Sequence, residues 1–142
     1  MRISEILRRK GSDVVTIAPD ASVRALLEIL ATHNVGAVVV SPDSTYLVGI
    51  VSERDIVRHL HGSGPDILDR PVSDIMTDVV HTCCPEDRVA TLNKRMTDHR
   101  IRHLPVVTDG RLIGIVSIGD VVKAQIAELK DEREHLVNYL HG

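Results

Sequence analysis

The sequence lacks tryptophan and phenylalanine, and Tyr46 and Tyr139 are its only two tyrosines. Proteins that bind single-stranded nucleic acids stack the bases on aromatic side chains, so the sequence argues against this function. A nucleobase bound by this chain would have to lie between aliphatic side chains. The formal net charge of −3 provides no basic surface for duplex DNA or for an anionic membrane.

The two cysteines, Cys83 and Cys84, are adjacent, so they cannot build an ordinary disulfide framework. No apolar run approaches the roughly 18 residues of a membrane span. The amphipathic start is unlike a secretory signal. We therefore expect a reduced, cytoplasmic protein that binds neither nucleic acid nor membrane. The 142 residues, 43% hydrophobic and 26% charged, suit a soluble globular chain with a proper core.

The chain carries one pattern twice, which is the signature of an internal repeat. Six positions recur after 66 residues: Val14/Val80, Thr16/Thr82, Pro19/Pro85, Val23/Val89, Leu26/Leu92 and His33/His99. The run Gly-Ile-Val-Ser at 49–52 recurs at 114–117, and Asp55 then matches Asp120. The segment 4–7 matches 73–76 at a shift of 69 residues. The chain thus contains two copies of one unit that differ by small loop changes.

Each copy predicts the element order β-α-β-β-α. Alternating and apolar runs predict strands at 14–17, 35–40 and 47–51, and their counterparts at 79–82, 101–107 and 112–116. The first helix of the unit has apolar residues at helical spacing from Val23 onward, with Asp20 or Ser22 as its N-terminal cap. The second helix follows the Ser-x-x-Asp segment. We assign residues 1–60 to the first repeat with an N-terminal helix, 61–72 to a connector and 73–125 to the second repeat.

The segment from about 119 to 141 predicts one long helix, of which 126–142 extends beyond the repeat. Five apolar residues form a stripe with the 3.5-residue period of paired helices: Val122, Ile126, Leu129, Leu136 and Leu140. Arg133 is the one seam position that is not apolar. Two interpretations remain open, a helix packed on its own domain and a partner helix in a homodimer.

The repeated unit resembles the cystathionine-β-synthase (CBS) domain, and the tandem pair resembles a Bateman module, as in small stand-alone bacterial CBS-pair proteins. The runs at 49–55 (GIVSERD) and 114–120 (GIVSIGD) carry the resemblance, with the strands at 35–40 and 101–107, over roughly residues 2–125. It implies an α/β (α+β) fold of two units packed through their sheets with pseudo-twofold symmetry. It also implies two clefts for adenosine compounds such as AMP, ADP, ATP, NAD(H) or S-adenosylmethionine. Such modules sense ligands and are not enzymes.

By analogy with the family, one cleft combines residues from both copies: Thr16, Ala18, Val35, Gly36, Arg102, His103, Ile115, Ser117, Gly119 and Asp120. The mirror cleft would use Ile50, Ser52, Arg54, Asp55, Thr82, Cys84 and Ile101. The chemistry fits, because a carboxylate at the start of a helix accepts charge-assisted hydrogen bonds from ribose hydroxyls. The helix start and Arg102 favour a phosphate. A simple N-cap pair is the alternative interpretation of each Ser-x-x-Asp. Arg54 would either bind a second phosphate or block the mirror cleft.

Two further hypotheses concern other parts of the chain. A metal or redox responder would use Cys83, Cys84 and the nearby His59, His61 and His81, but zinc-site spacing is absent, so we expect no metal. No catalytic triad or phosphate-binding loop is present, and we expect no catalytic residue or catalytic cofactor. The main alternative to ligand sensing is an interaction protein with vestigial clefts that docks an effector protein through its C-terminal helix.

Overall fold

The computed structural model describes residues 1–78 and 81–141. Within these residues, five helices, six strands and two 3₁₀ segments follow one another: α1 (Ile3–Lys10), β1 (Thr16–Ile17), α2 (Val23–His33), β2 (Ala37–Val40), β3 (Gly49–Ser52), α3 (Glu53–Ser63), the 3₁₀ segments Pro65–Asp69 and Val72–Asp74, β4 (Thr77–Asp78), α4 (Val89–His99), β5 (His103–Thr108), β6 (Arg111–Ser117) and α5 (Ile118–His141). The mixed α/β fold and the long C-terminal helix are confirmed.

The sheet of the first repeat has the order β1-β2-β3-β4. Strand β1 pairs in parallel with β2, and β2 and β3 form an antiparallel pair in which Val39 faces Ile50. Strand β4, which was not predicted, adds to β3. Its residues belong to the start of the second repeat by sequence, so this sheet is completed by the other copy.

In the second repeat, β5 and β6 form an antiparallel pair with an irregularity between Val106 and Val107. Cys83 makes a parallel bridge to Val106, the counterpart of the pairing of Ile17 with Val40. Val79 and Val80, the first two residues of the predicted strand at 79–82, lie outside the described residues. The other predicted strands are present, with ends displaced by up to two residues.

The helices that follow the first strand end alike in both repeats, although α2 begins with a side-chain cap and α4 does not. Ser22, one of the two predicted caps, accepts a hydrogen bond from the Ala25 amide at 3.1 Å. Helices α2 and α4 end at histidines, and the next residues, Asn34 and Arg100, adopt left-handed φ angles of 51° and 54°. The turn between this helix and the central strand therefore has the same backbone geometry in both repeats.

The two repeats are interlocked, because the start of each packs on the core of the other. Ile3, Ile6 and Leu7 of α1 are buried in the second core with Leu92. Val72 and Ile75 are buried in the first core. Matching backbone bonds hold both exchanges: the amide of Val72 donates to the Ala21 carbonyl at 2.7 Å, and the amide of Ile3 to that of Asp87 at 2.9 Å. Helix α1 is part of the first repeat by sequence but packs in the core of the second.

Helix α5 leaves the folded body after its first turns. Val121 and Ala124 are buried, whereas Leu129, Leu136 and Leu140 are 64, 65 and 78% exposed. Val122 and Ile126 are also exposed, at 43 and 48%, so the whole apolar stripe lies on a different face of α5 from the buried Val121 and Ala124. Of the two interpretations of this helix, packing on its own domain accounts only for its N-terminal part.

Candidate functional site

A cavity of 360 Å³ lies between the two repeats, beside the start of α3. This volume falls within the range of small-molecule sites, roughly 300–1,000 Å³. Its walls come from both copies: Ala37, Ile50, Ser52, Arg54, Asp55, Arg58, Thr77, Asp78, His81, Ile101, His103 and Pro105. Aliphatic side chains face it from both sheets, so a planar apolar group would be enclosed without an aromatic partner.

Asp55 is held at the first turn of α3 by a capping box with Ser52. The Ser52 amide donates to Oδ2 of Asp55 at 2.8 Å and the Ser52 hydroxyl at 3.1 Å. The Thr77 hydroxyl donates to Oδ1 at 3.4 Å. A carboxylate offers about four acceptor positions. These partners are neutral and leave the charge of Asp55, and part of its acceptor capacity, directed at the cavity.

Cationic side chains surround one end of this cavity. Arg54 and Arg58 line it, and Arg54 also lines an adjoining groove of 420 Å³ with Arg100 and Arg102. Among the ion pairs between described residues, none involves any of these four arginines. Unpaired guanidinium groups suit bidentate contact with phosphate oxygens. The cavity and the groove together provide apolar walls, a hydrogen-bond acceptor in Asp55 and positive charge from the arginines.

Two histidines border the same cavity. The His81 ring stacks on that of His99, with centroids 4.7 Å apart. Burial lowers the pKa of His103, and the nearby Lys10 ammonium lowers it further, while Asp120 and Glu53 act in the opposite direction. His103 is therefore a neutral imidazole at pH 7 and contributes hydrogen-bonding groups to the cavity, not charge.

Asp120 occupies the equivalent position at the start of α5 but has a charged partner. Lys10 Nζ lies 2.6 Å from Oδ2 of Asp120, and the Ser117 amide donates to the same oxygen at 2.9 Å. Partial burial alone would raise the pKa of Asp120, but the hydrogen bonds from Lys10 and Ser117 outweigh it and lower the pKa. The neighbouring cavity of 220 Å³ is lined by Met1, Ile6, Arg9, Lys10, Asp120, Lys123 and Ala124. The carboxylate is thus paired with α1 and lies beside this cavity.

The structure brings together most of the mirror cleft and little of the cleft predicted around Asp120. Ile50, Ser52, Arg54, Asp55 and Ile101 share the 360 Å³ cavity, which His103 also joins. Thr82 and Cys84, which were also predicted for the mirror cleft, do not line this cavity. The Thr82 carbonyl accepts a hydrogen bond from Arg95, and Cys84 is exposed.

Apart from Asp120 itself, none of the residues predicted for the Asp120 cleft lines the 220 Å³ cavity. Val35 and Gly36 line a separate groove with Glu53. The Thr16 hydroxyl is within 2.9 Å of that of Ser44, and the Ala18 carbonyl accepts from Ala21 in a turn. Ile115 contributes its carbonyl to Lys10, and Arg102 lies in the arginine groove. Gly119 has open space apart from Ser117 Oγ, which lies 3.6 Å from the place of a Cβ atom.

Sequence reasoning missed several residues of the site, above all Lys10 and Thr77. Both belong to segments that precede the first predicted strand of a repeat and cross to the other copy. The matching runs at 4–7 and 73–76 were the available signal, because they show that each unit begins earlier than its first strand. Arg58, four residues after Arg54 on α3, follows from helical spacing.

The metal and redox interpretations find no support in the residues 1–78 and 81–141. No group of three or more ligating side chains occurs among them. Burial and the nearby Asp87 raise the pKa of Cys83 to about 12, so its thiol is protonated and unreactive at neutral pH. In the same parts of the chain, no helix combines the length and apolar character needed to cross a membrane.

Comparison with known proteins decides the family. The CBS domain model matches residues 3–62 and again 72–127. The chain belongs to the CBS-domain family. It is 38% identical to the CBS domain-containing protein CBSX3, mitochondrial, of Arabidopsis thaliana, over 99% of this chain and 72% of that one. The crystal structure of the CBS-domain containing protein ATU1752 from Agrobacterium tumefaciens superposes with a TM-score of 0.84 at 43% identity, covering 88% of this chain and 99% of that one.

Two similar CBS structures hold adenosine compounds. The CBS domain protein PAE2072 from Pyrobaculum aerophilum is complexed with AMP, with a TM-score of 0.73 and 33% identity over 84% of this chain and 89% of that one. The CBS domain pair of protein MJ0100 is in complex with 5-methylthioadenosine and S-adenosyl-L-methionine, with a TM-score of 0.78 and 25% identity over 90% and 98%. CBS pairs thus include binders of both a nucleotide and sulfur-containing adenosine compounds.

Proposed function

We propose that this CBS pair is a regulatory module, not an enzyme, that binds an adenosine nucleotide in the cavity beside Asp55. The observation that carries the proposal is the cavity itself, which combines aliphatic walls from both repeats with an acceptor and unpaired arginines. The adenosine compounds in the two similar complexes support the ligand class. AMP, ADP and ATP are the first candidates, and NAD(H) and S-adenosylmethionine remain alternatives.

The proposed binding mode follows from the polarity of the cavity. The purine lies between Ile50 and Ile101, where burial of apolar area stabilises it by roughly 25 cal/mol per Å². Asp55 accepts the ribose hydroxyls in charge-assisted hydrogen bonds. Arg54 and Arg58 face the phosphates. The cleft around Asp120 remains a prediction, and the Lys10 contact is the reason to prefer the cavity at Asp55.

Calorimetric melting with adenosine, AMP, ADP, ATP, NAD(H) and S-adenosylmethionine tests the proposal. A ligand present at 100 times its dissociation constant should stabilise the fold by about 2.7 kcal/mol. For a chain of this size, the melting temperature should rise by about 5–15 °C. Asp55→Asn keeps the shape of the side chain but removes the negative charge and replaces one acceptor oxygen by a donor NH₂ group. It should weaken binding about tenfold or more.

The matched variant Asp120→Asn changes the equivalent helix start and should leave the affinity within about twofold. If Asp120→Asn abolishes binding and Asp55→Asn does not, the nucleotide occupies the other cleft. No shift with any compound, in protein shown to be free of ligand, would contradict the proposed function and favour the interaction role.

We also propose that the chain forms a homodimer through the exposed stripe of α5. Leu129, Leu136 and Leu140 lie on one face at the 3.5-residue period of helix pairing, and their exposure supports this second role. Light scattering should give the mass of a dimer, and Leu136→Glu should give that of a monomer. Asn138→Glu adds the same charge on the opposite face and should leave the dimer intact. A monomeric wild-type protein would favour an effector protein as the partner.

A further inference from the structure

We propose that Lys10 limits the chain to one nucleotide by acting as a built-in cationic substitute for a ligand at Asp120. The inference rests on the proposed function, because it assumes that the aspartate at each helix start is the group that receives a ribose. It adds a specificity-determining residue from outside the repeated motif, and it accounts for two similar motifs producing one open cleft.

The contacts of Lys10 use the groups that a ribose would need. Its ammonium lies 2.6 Å from Asp120 Oδ2 and donates to the Ile115 carbonyl at 2.9 Å. Oδ2 already accepts from the Ser117 amide. A ribose hydroxyl approaching this oxygen must displace a charged donor, and the ion pair is half-buried, with the Lys10 and Asp120 side chains 34 and 21% exposed. Partial burial limits screening, so the pair is stronger than a fully exposed one.

Helix α1 holds Lys10 in this position. Ile3 is fully buried and Leu7 nearly so, both in the core of the second repeat. A Cβ atom on Gly114 would come within 2.6 Å of the Leu7 side chain, so the glycine allows α1 to lie directly against β6. Lys10 is the last residue of α1, one turn after Leu7. Its ammonium is therefore presented by an anchored helix and not by a free terminus.

The first repeat lacks this device. Met76 corresponds to Leu7 and packs on Gly49 in the same way, with its sulfur 2.7 Å from the place of a Cβ atom. The residues that follow form β4 instead of continuing a helix, and they bring the neutral Thr77 hydroxyl to Asp55. A hydroxyl can rotate toward another acceptor at little cost, whereas a paired ammonium cannot leave without unpairing a half-buried charge.

Isothermal titration of the full chain with AMP and ATP tests the role of Lys10. The wild type should bind one nucleotide per chain, and Lys10→Met, which keeps the length and packing of the side chain, should bind two. The added site should disappear in Lys10→Met/Asp120→Asn and persist in Lys10→Met/Asp55→Asn. Lys10→Arg keeps the charge and should retain one site. Lys10→Gln serves as a second charge-removing variant if Lys10→Met folds poorly.

The possible failures are separable. Two nucleotides bound by the wild type, or a single one bound by folded Lys10→Met and Lys10→Gln, would overturn the role of Lys10 and leave the cavity at Asp55 standing. No binding by the wild type would overturn the proposed function. If Lys10→Met then bound one nucleotide in an Asp120-dependent manner, the role of Lys10 would survive that failure. No binding by either protein would overturn both.

Discussion

Asp55 and Asp120 end the same motif at the start of equivalent helices, yet one faces an open cavity and the other a lysine. The two repeats share an antiparallel pair of central strands, the backbone geometry at the ends of α2 and α4, and a buried core. They differ in the short segment by which each crosses to the other repeat. The duplicated motif therefore specifies the same local structure twice. Whether its aspartate is available to a ligand depends on which other segment of the chain packs against that aspartate.

The divergence begins directly after two equivalent residues. Leu7 and Met76 both pack on a glycine of the neighbouring strand. After Leu7 the chain continues as helix, and basic residues fill the last turn of α1, where they complement the helix dipole. After Met76 the chain becomes an edge strand of the first sheet. Two or three residues in each copy thus determine which carboxylate keeps its acceptor capacity.

The largest expected effects test the equivalence of the two cores. Leu26 and Leu92 correspond to each other, and both are fully buried. Leu26→Ala and Leu92→Ala should each lower the free energy of unfolding by about 2–5 kcal/mol, because each leaves a cavity in a packed core. Urea unfolding measures both. Val57→Ala, at a 64% exposed position outside the stripe of α5, should change it by about 0.5 kcal/mol or less. A loss confined to one repeat would show that the cores are not equivalent.

Alanine substitutions at two equivalent glycines, Gly49 and Gly114, should reduce stability by different amounts in the two repeats. A Cβ atom on Gly49 would meet the Thr77 carbonyl at 2.9 Å as well as Met76, whereas on Gly114 it would meet the branched end of Leu7 alone. Gly49→Ala should therefore destabilise by about 1–3 kcal/mol, the usual range for overpacking, and Gly114→Ala by less. Thermal unfolding measures the order. The reverse order would mean that α1 is held more rigidly than β4.

The arginines beside the cavity should discriminate between nucleotides by phosphate number. Arg54→Gln should reduce ATP affinity by roughly fivefold, the equivalent of about 1 kcal/mol for an exposed ion pair, and change adenosine affinity little. Arg111→Gln removes the same charge from the β5–β6 turn and serves as the control. Equal losses for adenosine and ATP would show that Arg54 shapes the cavity and does not bind phosphate.

The smallest effect concerns pH. The pKa of His103 is lowered from 6.5 by burial and by Lys10, so the unfolded chain takes up its proton first as pH falls. Stability should be full above about pH 6.5 and should decline below it. The pKa of Asp120 is lowered from 3.8, so its contribution is present above pH 3.8 and is lost only in stronger acid. His103→Gln should flatten the slope between pH 6.5 and 5 in calorimetric scans. An unchanged slope would assign it to other groups.

Much of the fold could be predicted from the sequence because local patterns determine it. The repeat, the order of elements in the first copy and the long C-terminal helix follow from periodicity and turn residues. The ends of the strands could not be predicted in this way, because the pairing partner determines where a strand such as β1 ends. Strand β4 was missed for the same reason, since only its neighbour β3 makes Thr77–Asp78 a strand.

The site could be predicted only in part. Ile50, Ser52, Asp55 and Ile101, which the family resemblance implies for the mirror cleft, do line one cavity. The contact between Lys10 and Asp120 spans 110 residues and depends on α1 crossing to the other repeat. No local pattern encodes such a contact. Sequence reasoning therefore identified two possible clefts but had no means to tell that the chain itself occupies one of the carboxylates.

A crystal structure of the chain with AMP tests the central claim most directly. The account predicts a single nucleotide in the cavity between Ile50 and Ile101, with its ribose on Asp55 and with Lys10 still bound to Asp120. A nucleotide whose ribose contacts Asp120, with Lys10 displaced, would contradict the account.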